Sequence, residues 1–200
     1  QNKEKGANNM AENLEIEFKT MLSQSEYQQL ITHYQLTATD FKTQTNSYFD
    51  TPDFQLKAKN CGLRIRRYED LAEYTLKTPT TSGLLETTDT LTKACADDIL
   101  QSNVLPITGH VFEKLIDLGI HSSQLIKTGE LTTKRAEFHI KEGLLAIDQS
   151  WAQNLHDYEL ELEVQDTTTT SADFLQFLSS FNLPYRPAKN KIHRMIEAKN

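Results

Sequence analysis

Two hundred residues are enough for one domain, or at most two small ones, with a real core. A hydrophobic content of 38% with 24% charged residues is that of an ordinary soluble globular chain. The net charge of −7 argues against a general nucleic-acid coat or an anionic membrane surface as partner, and no apolar run approaches the roughly 20 residues of a membrane helix.

The first nine residues are polar and lack the apolar stretch of a signal peptide; Met10 is a candidate natural start. A polar tail is expected over residues 1–11, and one domain over 12–199. Leu14 to Met21 reads as a strand. Ser25 with Gln28 three residues on reads as a helix start, followed by an apolar stripe of Tyr27, Leu30, Ile31 and Tyr34. A β-rich run from Thr45 ends in a turn at Pro52, and Gln55 to Lys59 suggests a short helix. Leu63 to Tyr68 and Glu73 to Thr78 form a predicted hairpin through Glu69 and Asp70, with a further strand over Leu84 to Leu91.

The middle reads as two helices, Lys93 to Gln101 and Gly109 to Leu118, the second stopped by Gly119. Strands return at Leu125 to Thr128, Thr132 to Ile140, Leu144 to Ser150 and Tyr158 to Gln165. A helix over Ala172 to Phe181 and a last basic helix over Lys189 to Lys199 complete the chain. Cys61 and Cys95 form no CxxC pair, so reduced thiols in the cytoplasm are the simplest expectation.

Four of these strands alternate ionic and apolar residues at period two: Leu14 to Lys19, Leu63 to Arg66, Tyr74 to Lys77 and Tyr158 to Val164. Successive strand side chains point to opposite faces, so each strand carries a charged row and an apolar row. A charged row ordinarily means a solvated surface. Here Glu159, Glu161 and Glu163 are like charges on one face, as are Arg64 and Arg66, and rows of one sign repel. A bound metal or anion relieves both rows. About eight strands with short turns suggest a closed antiparallel sheet. Its apolar faces would lie under helices and its charges inside, the reverse of a normal small barrel.

Glu15-Ile16-Glu17-Phe18-Lys19 resembles the ExExK signature of the CYTH superfamily, the triphosphate tunnel metalloenzymes. The segments that follow keep the family's order: Tyr48 to Thr51, Leu63 to Arg66, Leu76-Lys77, Glu86, Arg135, Asp148, Glu159-Leu160-Glu161 and Asn190 to Arg194. The resemblance spans Glu12 to Arg194 and is nearest the CYTH proteins of low-GC Gram-positive bacteria.

The resemblance implies an α+β fold, an eight-stranded antiparallel β-barrel tunnel with a charged interior and helices packed outside. It implies that Glu15, Glu17, Glu86, Asp148, Glu159, Glu161 and Glu163 hold Mg²⁺ or Mn²⁺, the register among the last three being open. Lys19, Arg64, Arg66, Lys77, Arg135, Lys189 and Lys191 would contact phosphate. Glu15, Glu17, Lys77 and Glu161 would carry turnover.

The expected activity is metal-dependent hydrolysis of inorganic triphosphate or a small organic triphosphate. The alternatives are a non-catalytic triphosphate, polyphosphate or nucleotide-binding module and an adenylate cyclase. Thr88 stands where the family often has a second acid on the Glu86 strand, which favours the binding module; Asp89 should point to the other face. The partner is a small triphosphate-containing molecule, with neither duplex nucleic acid nor membrane, and the oligomeric state is open. No HExxH, GxSxG or P-loop pattern supports a rival chemistry.

Overall fold

The structure, a computed structural model, describes residues 12–165 and 167–198. The expected polar tail over residues 1–11 and Lys199 lie outside the described residues. The chain order is β1 (Glu12–Leu22), α1 (Gln24–His33), β2 (Phe41–Asp50), α2 (Gln55–Ala58), β3 (Gly62–Arg67), β4 (Leu71–Pro79) and β5 (Leu84–Thr92). It continues with α3 (Lys93–Ser102), α4 (His110–Asp117), β6 (Ile126–Ile140), β7 (Gly143–Ala152), β8 (Leu155–Val164), α5 (Ser171–Ser180) and α6 (Lys191–Glu197). All eight strands pair antiparallel and close in the order β1-β5-β4-β3-β2-β6-β7-β8, with β8 returning to β1.

The period-two pattern decides which face is which. Leu63, Ile65, Tyr74 and Leu76 point outward and are fully buried with Leu56, Ile99, Val111 and Leu115 of α2, α3 and α4. On the other side, Leu145, Ile147, Leu160 and Leu162 pack with Leu30 of α1 and Phe174, Phe177 and Leu178 of α5. Each such side chain contributes about 1.5–3 kcal/mol when taken out of water. The polar halves of the same strands are thereby committed to the interior.

The last helix departs from this rule. Met195 of α6 packs against Tyr48 and Leu131, inward-facing residues of β2 and β6. The basic segment is therefore a stopper set into the barrel, with an apolar face at Ile192, Met195 and Ile196, and not a solvated helix.

Several boundaries differ from the sequence reading. Ser23, not Ser25, caps α1, in a reciprocal capping box with Glu26. The two strands expected at Leu125–Thr128 and Thr132–Ile140 are one strand of 15 residues. Its register against β2 shifts between Tyr48 and Phe49, so that Gly129 and Lys127 are paired and Thr128 is skipped. Such a bulge breaks the alternation that marks a strand in sequence. Asp89 points outward, as its position beside Thr88 requires, and its carboxylate accepts the His110 and Val111 N–H groups that open α4, at 3.1 and 2.9 Å.

Candidate active site

The barrel interior and the first residues of α6 enclose a cavity of about 390 Å³. Register places its side chains in rows. Tyr48 lies opposite Arg64, Arg64 opposite Thr75 and Thr75 opposite Thr88. One row over, Asn46 faces Arg66 and Arg66 faces Glu73; Lys77 faces Glu86. From β1 and β8, Glu17 faces Glu163 and Lys19 faces Glu161. All three ExExK side chains therefore share the interior with the basic row of β3, because both strands have their apolar partners outside.

The charges fall into two groups. In the first, Lys77 pairs with Glu15 and lies 3.4 Å from Glu86, and Arg64 is 3.5 Å from Glu86. Burial works to raise the Glu86 pKa, but Arg64 and Lys77 outweigh it and hold the carboxyl low. Lys19 pairs with Glu17 at 2.7 Å and with the Asn190 amide oxygen at 2.9 Å. This group has acid to spare. Burial pushes the Glu15 pKa up, and repulsion from Glu17 and Glu86 adds to the push against the opposing pull of Lys77. Burial and the Glu15 charge likewise raise Glu163, which has no cation within ion-pair distance among the described residues.

The second group is a compact salt cluster. Asp148, Glu159 and Glu161 place one carboxylate oxygen each within 4.8 Å of one another. Arg135 grips Asp148 at 2.8 and 2.7 Å and also pairs with Glu161. The Lys191 ammonium sits among all three acids, 2.9 Å from Asp148, 2.8 Å from Glu159 and in contact with Glu161. Burial opposes ionisation of Asp148 and Glu161, yet Arg135 and Lys191 keep both pKa values depressed. Glu159 Oε1 is buried with no hydrogen-bond partner among the described residues.

The CYTH domain model matches residues 13–196. The chain belongs to the CYTH family. It is 40% identical over 190 residues to YjbK of Bacillus subtilis, a candidate triphosphatase by name, covering 95% of this chain and 98% of that one. A Bacillus halodurans protein described as a candidate adenylate cyclase is also 40% identical, with a TM-score of 0.88 over 92% of this chain and 98% of the other. HpAC1 of Hippeastrum, an adenylyl cyclase by name whose description reports a dominant triphosphatase activity, shares the fold at TM-score 0.76 and 20% identity, over 94% and 97% of the two chains.

Eleven of the residues singled out from the sequence line the CYTH cavity: Glu15, Glu17, Lys19, Arg64, Arg66, Lys77, Glu86, Arg135, Glu161, Glu163 and Lys191. Asp148 and Glu159 lie behind them, 0% and 1% exposed, and touch the cavity through Arg135 and Lys191. The open register on β8 resolves into two neighbourhoods, Glu163 beside Glu17 and Glu159 with Glu161 in the salt cluster. Lys189 is a correction: its side chain is 62% exposed and reaches Glu197 at 2.7 Å on the outside of α6, since it precedes the helix turn that carries Lys191 inward.

Sequence reasoning missed the groups that hold the cations in place. Arg66 donates to Asn46 Oδ1 at 2.9 Å and reaches Tyr68, which donates to Glu73 at 2.9 Å. Glu73 stands at period two from Thr75 and Lys77, which was signal enough to place it inside. Thr88 lines the cavity and shares a hydrogen bond of 3.1 Å with Thr75, so the position of the absent acid is filled by a neutral pair.

Proposed function

We propose that this protein binds the phosphate chain of inorganic triphosphate or a small organic triphosphate inside the barrel and hydrolyses the terminal phosphoanhydride with the help of Mg²⁺ or Mn²⁺. The observation that carries the reading is six cations, Lys19, Arg64, Arg66, Lys77, Arg135 and Lys191, gathered on one enclosed surface with surplus carboxylates. A polyanion with a hard divalent cation is the ligand that neutralises both. The triphosphatase descriptions of YjbK and HpAC1 support the same reading.

The residues present fit such a cation. Glu15, Glu17 and Glu163 are hard oxygen donors, the first two each paired with one lysine and the third with no cation within ion-pair distance among the described residues, and Glu159 Oε1 is a buried acceptor in the second acid group with no hydrogen-bond partner among the described residues. When bound, the cation would draw charge from the phosphoryl oxygens and acidify a water. The remaining work falls to the side chains. The Arg64 and Arg66 guanidinium groups present planar forks that match phosphate oxygens bidentately. Lys77 and Lys19 exchange a carboxylate partner for phosphate as the ligand enters. Glu163, with no cation within ion-pair distance among the described residues, can orient the attacking water at its Oε atoms. In-line transfer needs positioning and charge neutralisation above all, which this wall of fixed donors supplies.

The test is phosphate release from inorganic triphosphate, ATP and thiamine triphosphate, each with Mg²⁺, Mn²⁺ or EDTA. Metal-dependent release from at least one substrate, lost in Glu17→Gln with the fold retained, is expected. Binding without release in every combination would make the barrel a sensor and locate the deficit at Thr88. Cyclic nucleotide from ATP in place of phosphate would make it a cyclase.

A further inference from the structure

Arg194 belongs to none of the phosphate or metal contacts described above, yet its side chain is only 10% exposed. Its Nε donates to Asp157 Oδ2 at 2.8 Å and its Nη2 to Glu159 Oε2 at 2.8 Å, so one planar fork ties α6 to two acids of β8. Lys191 lies three residues earlier on the same helix and shares Glu159 Oε2 with it, also at 2.8 Å. Residues three apart on a helix are neighbours, so whatever fixes Arg194 fixes the origin of the Lys191 side chain. The buried groups are four acids, Asp148, Asp157, Glu159 and Glu161, against the three cations Arg135, Lys191 and Arg194; the more exposed Glu137 adds a further acid 3.3 Å from Arg135.

We propose that Arg194 is a positioning residue: it holds Lys191 among Asp148, Glu159 and Glu161 and thereby limits how tightly those acids take a divalent cation. The proposal rests on reading the cavity as a metal–triphosphate site. Its physical content is a competition. The Lys191 ammonium lies at the point where three carboxylate oxygens converge, which is also where a cation would sit. With Arg194 in place the cluster is close to neutral and a second positive guest gains little from it. Without Arg194, Glu159 loses one of its two partners and α6 loses its anchor to β8. The acids then hold a divalent cation more tightly, while Lys191 becomes a poorer fixed donor for phosphate. The two ligands respond with opposite signs. A purely structural role predicts the same sign for both, because a loosened helix weakens every site it lines.

Asp157 supplies the complementary variant. Asp157→Asn removes a negative charge and leaves the Arg194 fork wholly to Glu159, so metal binding should weaken. Arg194→Lys keeps the charge and gives up the fork.

The experiment is titration calorimetry of the wild-type protein, R194Q, R194K and D157N with manganese chloride alone and with sodium tripolyphosphate alone. Circular dichroism melts establish that each variant is folded. One unit charge about 6 Å from a divalent cation changes its affinity by roughly tenfold at the dielectric of water, the screened limit for a cavity that solvent enters. R194Q should therefore bind Mn²⁺ about tenfold more tightly and tripolyphosphate more weakly; D157N should bind Mn²⁺ several-fold more weakly. R194K should keep Mn²⁺ affinity within about twofold and lose tripolyphosphate affinity, since only the fork is gone. Unchanged or weaker Mn²⁺ binding in R194Q overturns the proposal, as does unchanged binding in D157N, which remains decisive if R194Q does not fold. Failure of the wild-type protein to bind either probe would overturn the reading of the site itself, an outcome distinct from normal wild-type binding with unresponsive variants.

Discussion

Glu161 and Glu163 stand two residues apart on one strand face, and their replacement by Gln should change stability in opposite directions. Glu163 faces Glu17 in register, lies near Glu15 and has no cation within ion-pair distance among the described residues. Register neighbours on one sheet face place their Cβ atoms about 5 Å apart. Two carboxylates roughly 6 Å apart repel by about 1–3 kcal/mol at effective dielectrics between 20 and that of water, the lower end applying where solvent enters. E163Q removes that repulsion with little change of shape. For a chain of this length each kcal/mol moves Tm by about 2–4 °C, so the metal-free melting point should rise by a few degrees. Glu161 is instead in contact with Arg135 and Lys191. E161Q leaves these buried cations under-compensated, and breaking a buried pair costs about 3–5 kcal/mol. Asp148 and Glu159 still serve both cations, which puts the loss at the low end and the fall in Tm near 6–12 °C. The assay is calorimetric melting at neutral pH in EDTA and again in Mn²⁺. Mn²⁺ should raise the wild-type Tm, and the rise should shrink in E163Q. If E163Q melts below the wild-type protein in EDTA, or keeps the full Mn²⁺ increment, the surplus of acid near Glu15 is not what organises this end of the cavity.

Three further outcomes follow from the same geometry. Arg66→Ala should weaken tripolyphosphate binding by about 10- to 150-fold, the range for a charge-assisted hydrogen bond, and unaltered calorimetric affinity would place Arg66 outside the ligand's reach. Gly109→Ala should lower Tm by roughly 5–10 °C, because φ is +101° and an added Cβ would stand 2.7 Å from the Asp89 carboxylate that caps α4; a shift below about 1 °C would show that the cap yields freely. Metal-free stability should peak in mild acid. Glu15 and Glu163 have folded pKa values above the unfolded value of about 4.3, so the folded state binds extra protons between the two and loses stability as pH rises through that window. Asp148 and Glu161 have depressed folded values, so their contribution is full above about pH 4 and is lost as pH falls through those lower values. A melting profile that climbs monotonically to neutral pH in EDTA contradicts this assignment.

The charged face of each strand was readable because period two is a property of the backbone and survives any tertiary context. The inversion of the barrel followed from it, since apolar rows on strands and stripes on helices have to meet. What escaped depends on distance in three dimensions. The Thr128 bulge hides β6 as two short strands, because one extra residue flips the alternation partway along. Lys189 and Lys191 look alike in a basic helix; only the entry of Ile192 and Met195 into the barrel separates them. Arg194 and Asp157 are on elements far apart in the chain, and their pairing is invisible before β8 and α6 are set together. Thr88 was legible as a departure, but not that Thr75 would accept it as a hydrogen-bond partner.

The inverted interior raises the question of why the barrel does not fly apart when its ligand is absent. Five of the six cavity cations, Lys19, Arg64, Lys77, Arg135 and Lys191, are held at ion-pair distance by carboxylates of the protein, and Arg66 is held by Asn46 and Tyr68, so each is already ordered. Such pairs contribute little net stability, since desolvation consumes most of the Coulomb gain. The folding energy comes from the apolar layer beneath the outer helices. The interior pairs have another consequence: a ligand entering the cavity trades one ionic partner for another instead of stripping water from free charges. Affinity then depends on the difference between phosphate and carboxylate as partners for the same cations. A triphosphate brings several charged oxygens on one flexible chain and releases several carboxylates together, and those released acids are the ones that a divalent cation can take.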